Sequence, residues 1–151
     1  MSSRLFSSVR EKRGLAYFIR ASVESYQDTG LFVVQSGLDK SRLPLAGKTI
    51  MNELRDVIKN KVTSAELRRA KDYIAGTTTL KMEDSSNVAT WFARQQLYSG
   101  EALTQKQKLA EYEKVTPQQI QAVAAKMFDR KNMGVTGIGP FNKPMDVWKH
   151  F

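Results

Sequence analysis

Arg10-Glu11-Lys12-Arg13-Gly14-Leu15-Ala16-Tyr17, followed by Asp28-Thr29-Gly30-Leu31-Phe32, is the stretch on which the fold turns. It reads as a helix end, a glycine turn and two strands. Upstream, Leu5, Phe6 and Val9 share one side of a short helix that Ser2 or Ser3 can cap. Gly14 is the natural residue for a left-handed exit from it. Downstream, Ile19, Ala21 and Val23 alternate with Arg20, Ser22 and Glu24, the pattern of a half-buried strand. Tyr26–Gly30 is long enough for a hairpin turn, and Leu31–Leu38 is the returning strand. Strict alternation carries Tyr17 onto the Ile19 face. An exposed Tyr17 therefore requires regular pleating to begin after it, or a bulge to re-aim it.

Working outward, the pattern becomes helical. Leu43, Ala46, Ile50, Leu54, Val57 and Ile58 form one stripe, with Pro44 acceptable in the first turn. Thr63-Ser64-Ala65-Glu66 is a capping box opening the next helix. Asp84-Ser85-Ser86-Asn87 interrupts it, and Val88, Trp91, Phe92 and Gln95 mark a third helix ending near Gly100. A shorter one runs through Lys106–Lys114. Thr116-Pro117-Gln118-Gln119 opens a last helix with a cap, a proline at the first position and a glutamine three on. Met133–Ile138 has the composition of a final strand.

Strands and helices are segregated, so the expected class is α+β: an antiparallel sheet of three strands or more with several helices on one face. Three strands are few for so many helices, and a further strand is expected. The expected organisation is one domain over residues 1–139, lacking its first strand and helix, and a tail over 140–151.

The 151 residues suffice for one buried core, and the 41% hydrophobic and 26% charged content is that of a globular chain. No apolar run approaches the ~20 residues of a membrane helix. No export leader is visible, which favours the cytoplasm while leaving the compartment of any longer parent open. Cysteine is absent, excluding disulfides and thiolate metal sites. The net charge of +9 admits an acidic partner or nucleic acid. The basic residues are nevertheless scattered over helix faces and ends, which weighs against a dedicated nucleic-acid surface.

The only histidine is His150, beside the C-terminus. A zinc hydrolase site of the H-x-x-E-H or H-E-x-x-H kind cannot be built from it, nor can a triad with histidine as base. No phosphate-binding glycine loop is present. Arg10 and Tyr17 remain. A guanidinium is a permanently charged fan of donors suited to carbonyls and carboxylates, and a phenol can donate to an oxyanion. Both residues also have ordinary structural uses, at a helix end and at the start of a strand.

The runs Met1–Phe6, Val9–Tyr17 and Asp28–Phe32 resemble the pitrilysin/insulinase family of zinc peptidases, especially mitochondrial processing peptidase and its bacterial relatives. Val62–Lys71, Gly76, Glu83–Ser86 and Val115–Ile120 extend the resemblance over nearly the whole chain. The resemblance implies two similar α+β halves around a chamber, in one chain or two. The first half carries zinc in H-x-x-E-H with a distal glutamate. The second lacks metal and engages the substrate backbone through an arginine and a tyrosine.

Arg10 and Tyr17 stand at the positions of that pair. The resemblance thus implies the substrate-binding part of the C-terminal half of a zinc metalloendopeptidase, inactive alone. Arg10 would position the peptide and Tyr17 stabilise the oxyanion, with zinc bound outside this chain. The implied partners are the zinc-bearing N-terminal half or subunit and an extended peptide substrate. Self-association through an exposed sheet edge is also expected. The alternatives are a non-catalytic scaffold or core subunit of the same family, and a basic nucleic-acid-binding domain.

Overall fold

The computed structural model describes residues 3–141, so Ser2, His150 and all but the first two residues of the expected tail lie outside the described residues. The chain is α+β. A π-helical turn, Phe6–Glu11, leads into β1 (Ala16–Ser25) and β2 (Gly30–Leu38). Five α-helices follow: α1 (Leu43–Lys59), α2 (Ser64–Lys81), α3 (Ser85–Ser99), α4 (Gln105–Glu113) and α5 (Pro117–Met127).

The chain divides into two compact units. The first holds the described residues up to Ser25, Thr29–Asn60, and those from Ala122 onward; the second holds Tyr26–Asp28 and Lys61–Gln121.

The core lies in the first unit. Leu5 and Val9 from the first helix, Leu15, Ala16 and Ile19 from the turn and β1, and Ala46, Ile50, Met51 and Leu54 from α1 are all buried together. Val9 is fully enclosed. A polar ladder fixes the first helix antiparallel to α1. Arg4 pairs with Asp56 at 2.6 Å, the Ser8 hydroxyl donates to Glu53 Oε1 at 2.5 Å, and Arg13 Nη1 donates to Thr49 Oγ1 at 3.1 Å. These three acceptors recur at helical spacing on one face of α1, so the ladder sets the axial register of the segment that carries Arg10.

The sheet has two strands, fewer than the three or more expected. Met133–Ile138 is extended but belongs to no sheet; Met133 packs on the core while Ile138 is wholly exposed. Strand composition is a local property, whereas a strand also needs a neighbouring edge to pair with, and that is not local. The face expected to be buried along β1 is only partly so. Ile19 is buried, but Ala21 and Val23 are exposed. Their cross-strand partners Val34 and Phe32 are half-buried against the core, with Phe32 meeting the Phe128 ring edge-on at 5.2 Å. Cover therefore reaches β2 and stops short of the outer margin of β1.

In the second unit no described residue is fully buried, and Tyr73, Leu80 and Leu97 stand in solvent. Its helices are well terminated nonetheless. Thr63 and Asp84 cap α2 and α3 through their side chains, and Gly100 ends α3 at φ +69°. Thr104 with Gln107 opens α4, and Thr116 with Gln119 opens α5, as reciprocal capping boxes. Lys71 Nζ donates to the Glu113 carbonyl at 2.6 Å, tying α2 to α4.

Candidate functional site

The turn at Gly14 sets the geometry around Arg10 and Tyr17. The Lys12 N–H donates five residues back, to the Ser7 carbonyl, so the first helix is wider than an α-helix at its end. Such π-type turns recur at functional sites. Gly14 then adopts φ +58°, a conformation that costs an L-residue and not glycine. Its N–H returns to the Arg10 carbonyl at 2.9 Å, and the Leu15 N–H to the Val9 carbonyl at 2.8 Å. The reversal buries Leu15 and Ala16 and leaves Arg10 on the exposed side. The Arg10 guanidinium lies over the Phe6 ring, 5.1 Å from its centre, one helical turn back. That contact orients the charge while leaving its donors open to a ligand.

Tyr17 is exposed by a bulge. Ala16 pairs with Leu38 and Phe18 with Gly37, so Tyr17 is an extra residue with no partner across the ladder. The bulge resets the phase of the strand: Ala16 is buried, Tyr17 and Phe18 face out, and Ile19 is buried again. Simple alternation would have sunk the phenol beside Ile19; instead it is 73% exposed. Immediately after the bulge, the Phe18 ring lies against Gly37. A Cβ there would come within 2.6 Å of the ring, so Gly37 leaves room for it.

Arg10 and Tyr17 thus flank one tight reversal with both side chains in solvent. Two further arginines converge on the same turn, and the sequence did not single them out as a group. Arg13 reaches back to Thr49 on α1, and Arg42 Nη1 donates to the Gly14 carbonyl at 2.5 Å. Arg42 lies 28 residues away with no motif around it, so only folding brings it here.

No cluster of three His, Cys, Asp or Glu side chains able to hold a metal occurs among the described residues. The residues present do not fit a zinc site. No helix of the described residues is long and apolar enough to cross a membrane.

Comparison with known proteins bears directly on this site. Residues 1–74, which include the turn, the hairpin and α1, match the family described as the peptidase M16 inactive domain. A protein named as an uncharacterized zinc protease from Streptomyces coelicolor is 36% identical over 140 residues, 93% of this chain. The chain belongs to the M16 peptidase family. Within M16, a similarly named protein from Mycobacterium bovis is 31% identical over 93% of the chain, and one from Bacillus subtilis 29% over 85%. The M16 chain spans only about a third of each of these relatives: 30%, 32% and 31% of their lengths.

Solved structures repeat the fold. A conserved protein from Enterococcus faecalis superposes with TM-score 0.70 at 27% identity, over 82% of this M16 chain and 29% of its own. A chain of complex III2 from Candida albicans superposes with TM-score 0.73 over 83% of this chain and 30% of its own. At 17% identity the latter speaks to the fold alone. The family match is to the inactive domain, the side that the motif resemblance implied.

Proposed function

We propose that this chain is the substrate-gripping part of the metal-free half of a zinc metalloendopeptidase, without hydrolytic activity of its own. The observation that carries the reading is the bulge at Tyr17. A bulge costs a ladder position and is unnecessary for packing a tyrosine, but it turns the phenol outward beside the exposed Arg10. An extended peptide presents carbonyl oxygens at regular intervals. The Arg10 guanidinium holds one or two of them, and the Tyr17 O–H donates to the carbonyl oxygen on which negative charge develops. The zinc-bearing half is the necessary partner. The names of the relatives and the match to an inactive domain support that pairing, and the metal belongs to the other half.

The test is kinetic. In the enzyme reconstituted with its zinc-bearing half, Tyr17→Phe removes one oxyanion donor and is expected to lower kcat by about 10²–10³ with little change in KM. Arg10→Ala is expected to raise KM as well. The isolated chain should cleave no peptide even with added zinc. Turnover by the chain alone, or a Tyr17→Phe enzyme with undiminished kcat, would remove the basis of the proposal.

A further inference from the structure

Four cations gather at the Gly14 turn without an ion-pair partner. Among the described residues the ion pairs of the first helix and of α2 and α4 engage Arg4, Arg68, Lys71 and Lys108. None engages Arg10, Lys12, Arg13 or Arg42. Arg10, Lys12 and Arg13 fall within four residues at the end of the first helix. Arg42 joins them because its guanidinium is bonded to the Gly14 carbonyl, and Arg13 is held by Thr49, whose own hydroxyl is anchored on the Leu45 carbonyl at 2.7 Å.

Arg13 and Arg42 are therefore positioned by hydrogen bonds rather than swinging freely, and each uses only part of its fan of donors in doing so. Arg42 also caps the N-terminal end of α1, whose first turn contains no acidic residue, so the helix dipole adds to the positive field there. Two carboxylates lie close by. Glu11 is exposed within the same helix, and Asp39 is turned toward the Ser41 amide and hydroxyl. Asp39 offsets part of the Arg42 charge, and the surplus stays positive.

We propose that this basic corner, formed by Lys12, Arg13 and Arg42 beside Arg10, is a subsite for carboxylates, selecting extended peptides with acidic residues near the segment held by Arg10 and Tyr17. The inference rests on the reading of Arg10 and Tyr17 as a peptide grip. The match is one of chemistry: guanidinium groups bind carboxylates through paired, charge-assisted hydrogen bonds, and Arg13 and Arg42 are already oriented to offer them. The contacts are solvent-exposed, so each contributes modestly and salt weakens it. The selectivity comes from several such contacts acting on one chain.

The test compares two unlabelled, end-blocked decapeptides by calorimetric titration into the chain. They are identical except that three aspartates in one are asparagines in the other. At low salt the aspartate peptide should bind about tenfold tighter, and high salt should abolish most of that margin. Lys12→Gln, at an exposed side chain, should narrow the margin about threefold without disturbing the fold. Arg42→Gln should narrow it further, with circular dichroism to verify folding. Equal binding of the two peptides, or an unchanged margin in Lys12→Gln, would overturn the acidic subsite while leaving the Arg10–Tyr17 grip standing. Failure of both peptides to bind would overturn the subsite and the grip beneath it together. A single-stranded oligonucleotide displacing the aspartate peptide far below the concentration of the latter would instead assign the corner to nucleic acid and overturn the proposal.

Discussion

Replacing Gly14 by alanine isolates the contribution of the turn that joins Arg10 to Tyr17. The residue sits at φ +58°, and a Cβ built there meets only Arg42 Nη1, at 3.9 Å, which is ordinary contact. Steric crowding therefore adds nothing, and the cost is conformational. A non-glycine residue in the left-handed region costs about 1–2 kcal/mol. Alanine recovers about 0.5 kcal/mol of this by restricting the unfolded chain. The net expectation is about 1 kcal/mol of destabilisation, with Gly14→Asn milder because asparagine tolerates this conformation.

The effect should be read where the turn is, because Trp91 lies in the second unit and reports poorly on the first. The amide of Leu15, bonded to the Val9 carbonyl, is the suitable probe. Its hydrogen-exchange protection should fall about fivefold in Gly14→Ala if the amide opens with the unit that the turn stabilises. Unchanged or increased protection in Gly14→Ala, or a larger loss in Gly14→Asn than in Gly14→Ala, would refute a left-handed turn at this position.

Val9→Ala removes two methyl groups from the one side chain that is fully enclosed, and should cost about 2–3 kcal/mol in urea unfolding followed by circular dichroism. A loss under 0.5 kcal/mol would mean that the first helix is not part of the core. Gly37→Ala places a methyl group 2.6 Å from the Phe18 ring and should destabilise by about 1–2 kcal/mol; a second change, Phe18→Ala, should relieve the clash and shrink that penalty in a double-mutant cycle. The outer margin of β1, with Val23 exposed on an incompletely covered face, should drive concentration-dependent association in light scattering, reduced by Val23→Lys. A monodisperse monomer at high concentration would count against that edge as an interaction surface.

The parts of the fold that are local in origin can be read from the residues. Gly14 exits the first helix with positive φ because glycine alone does so cheaply, and Thr63, Asp84 and Thr116 start helices by accepting from amides two or three residues on. The apolar stripe through Ala46, Ile50 and Leu54 faces the core as its period requires. The bulge at Tyr17 was visible only as a conflict between alternation and an exposed phenol; the register against Leu38 and Gly37 resolves it.

Long-range features were not readable. Met133–Ile138 has strand residues, yet pairing depends on which edge reaches it. Arg42 joins the site through a bond to a backbone carbonyl, which leaves no mark on the sequence around it. The shallow burial of Ala21 and Val23 likewise follows from how far neighbouring elements extend, not from the alternation in β1 itself.

Both side chains that flank the turn must touch one ligand if the grip is real. A double-mutant cycle on peptide affinity, with Arg10→Ala, Tyr17→Phe and the combined change titrated by heteronuclear NMR against an extended peptide, measures this directly. The expected result is weaker binding for each single change, a combined loss smaller than the sum of the two, and peptide-induced shifts centred on Gly14, Leu15 and Tyr17. Full affinity in the doubly changed chain, with shifts located away from this turn, would contradict it.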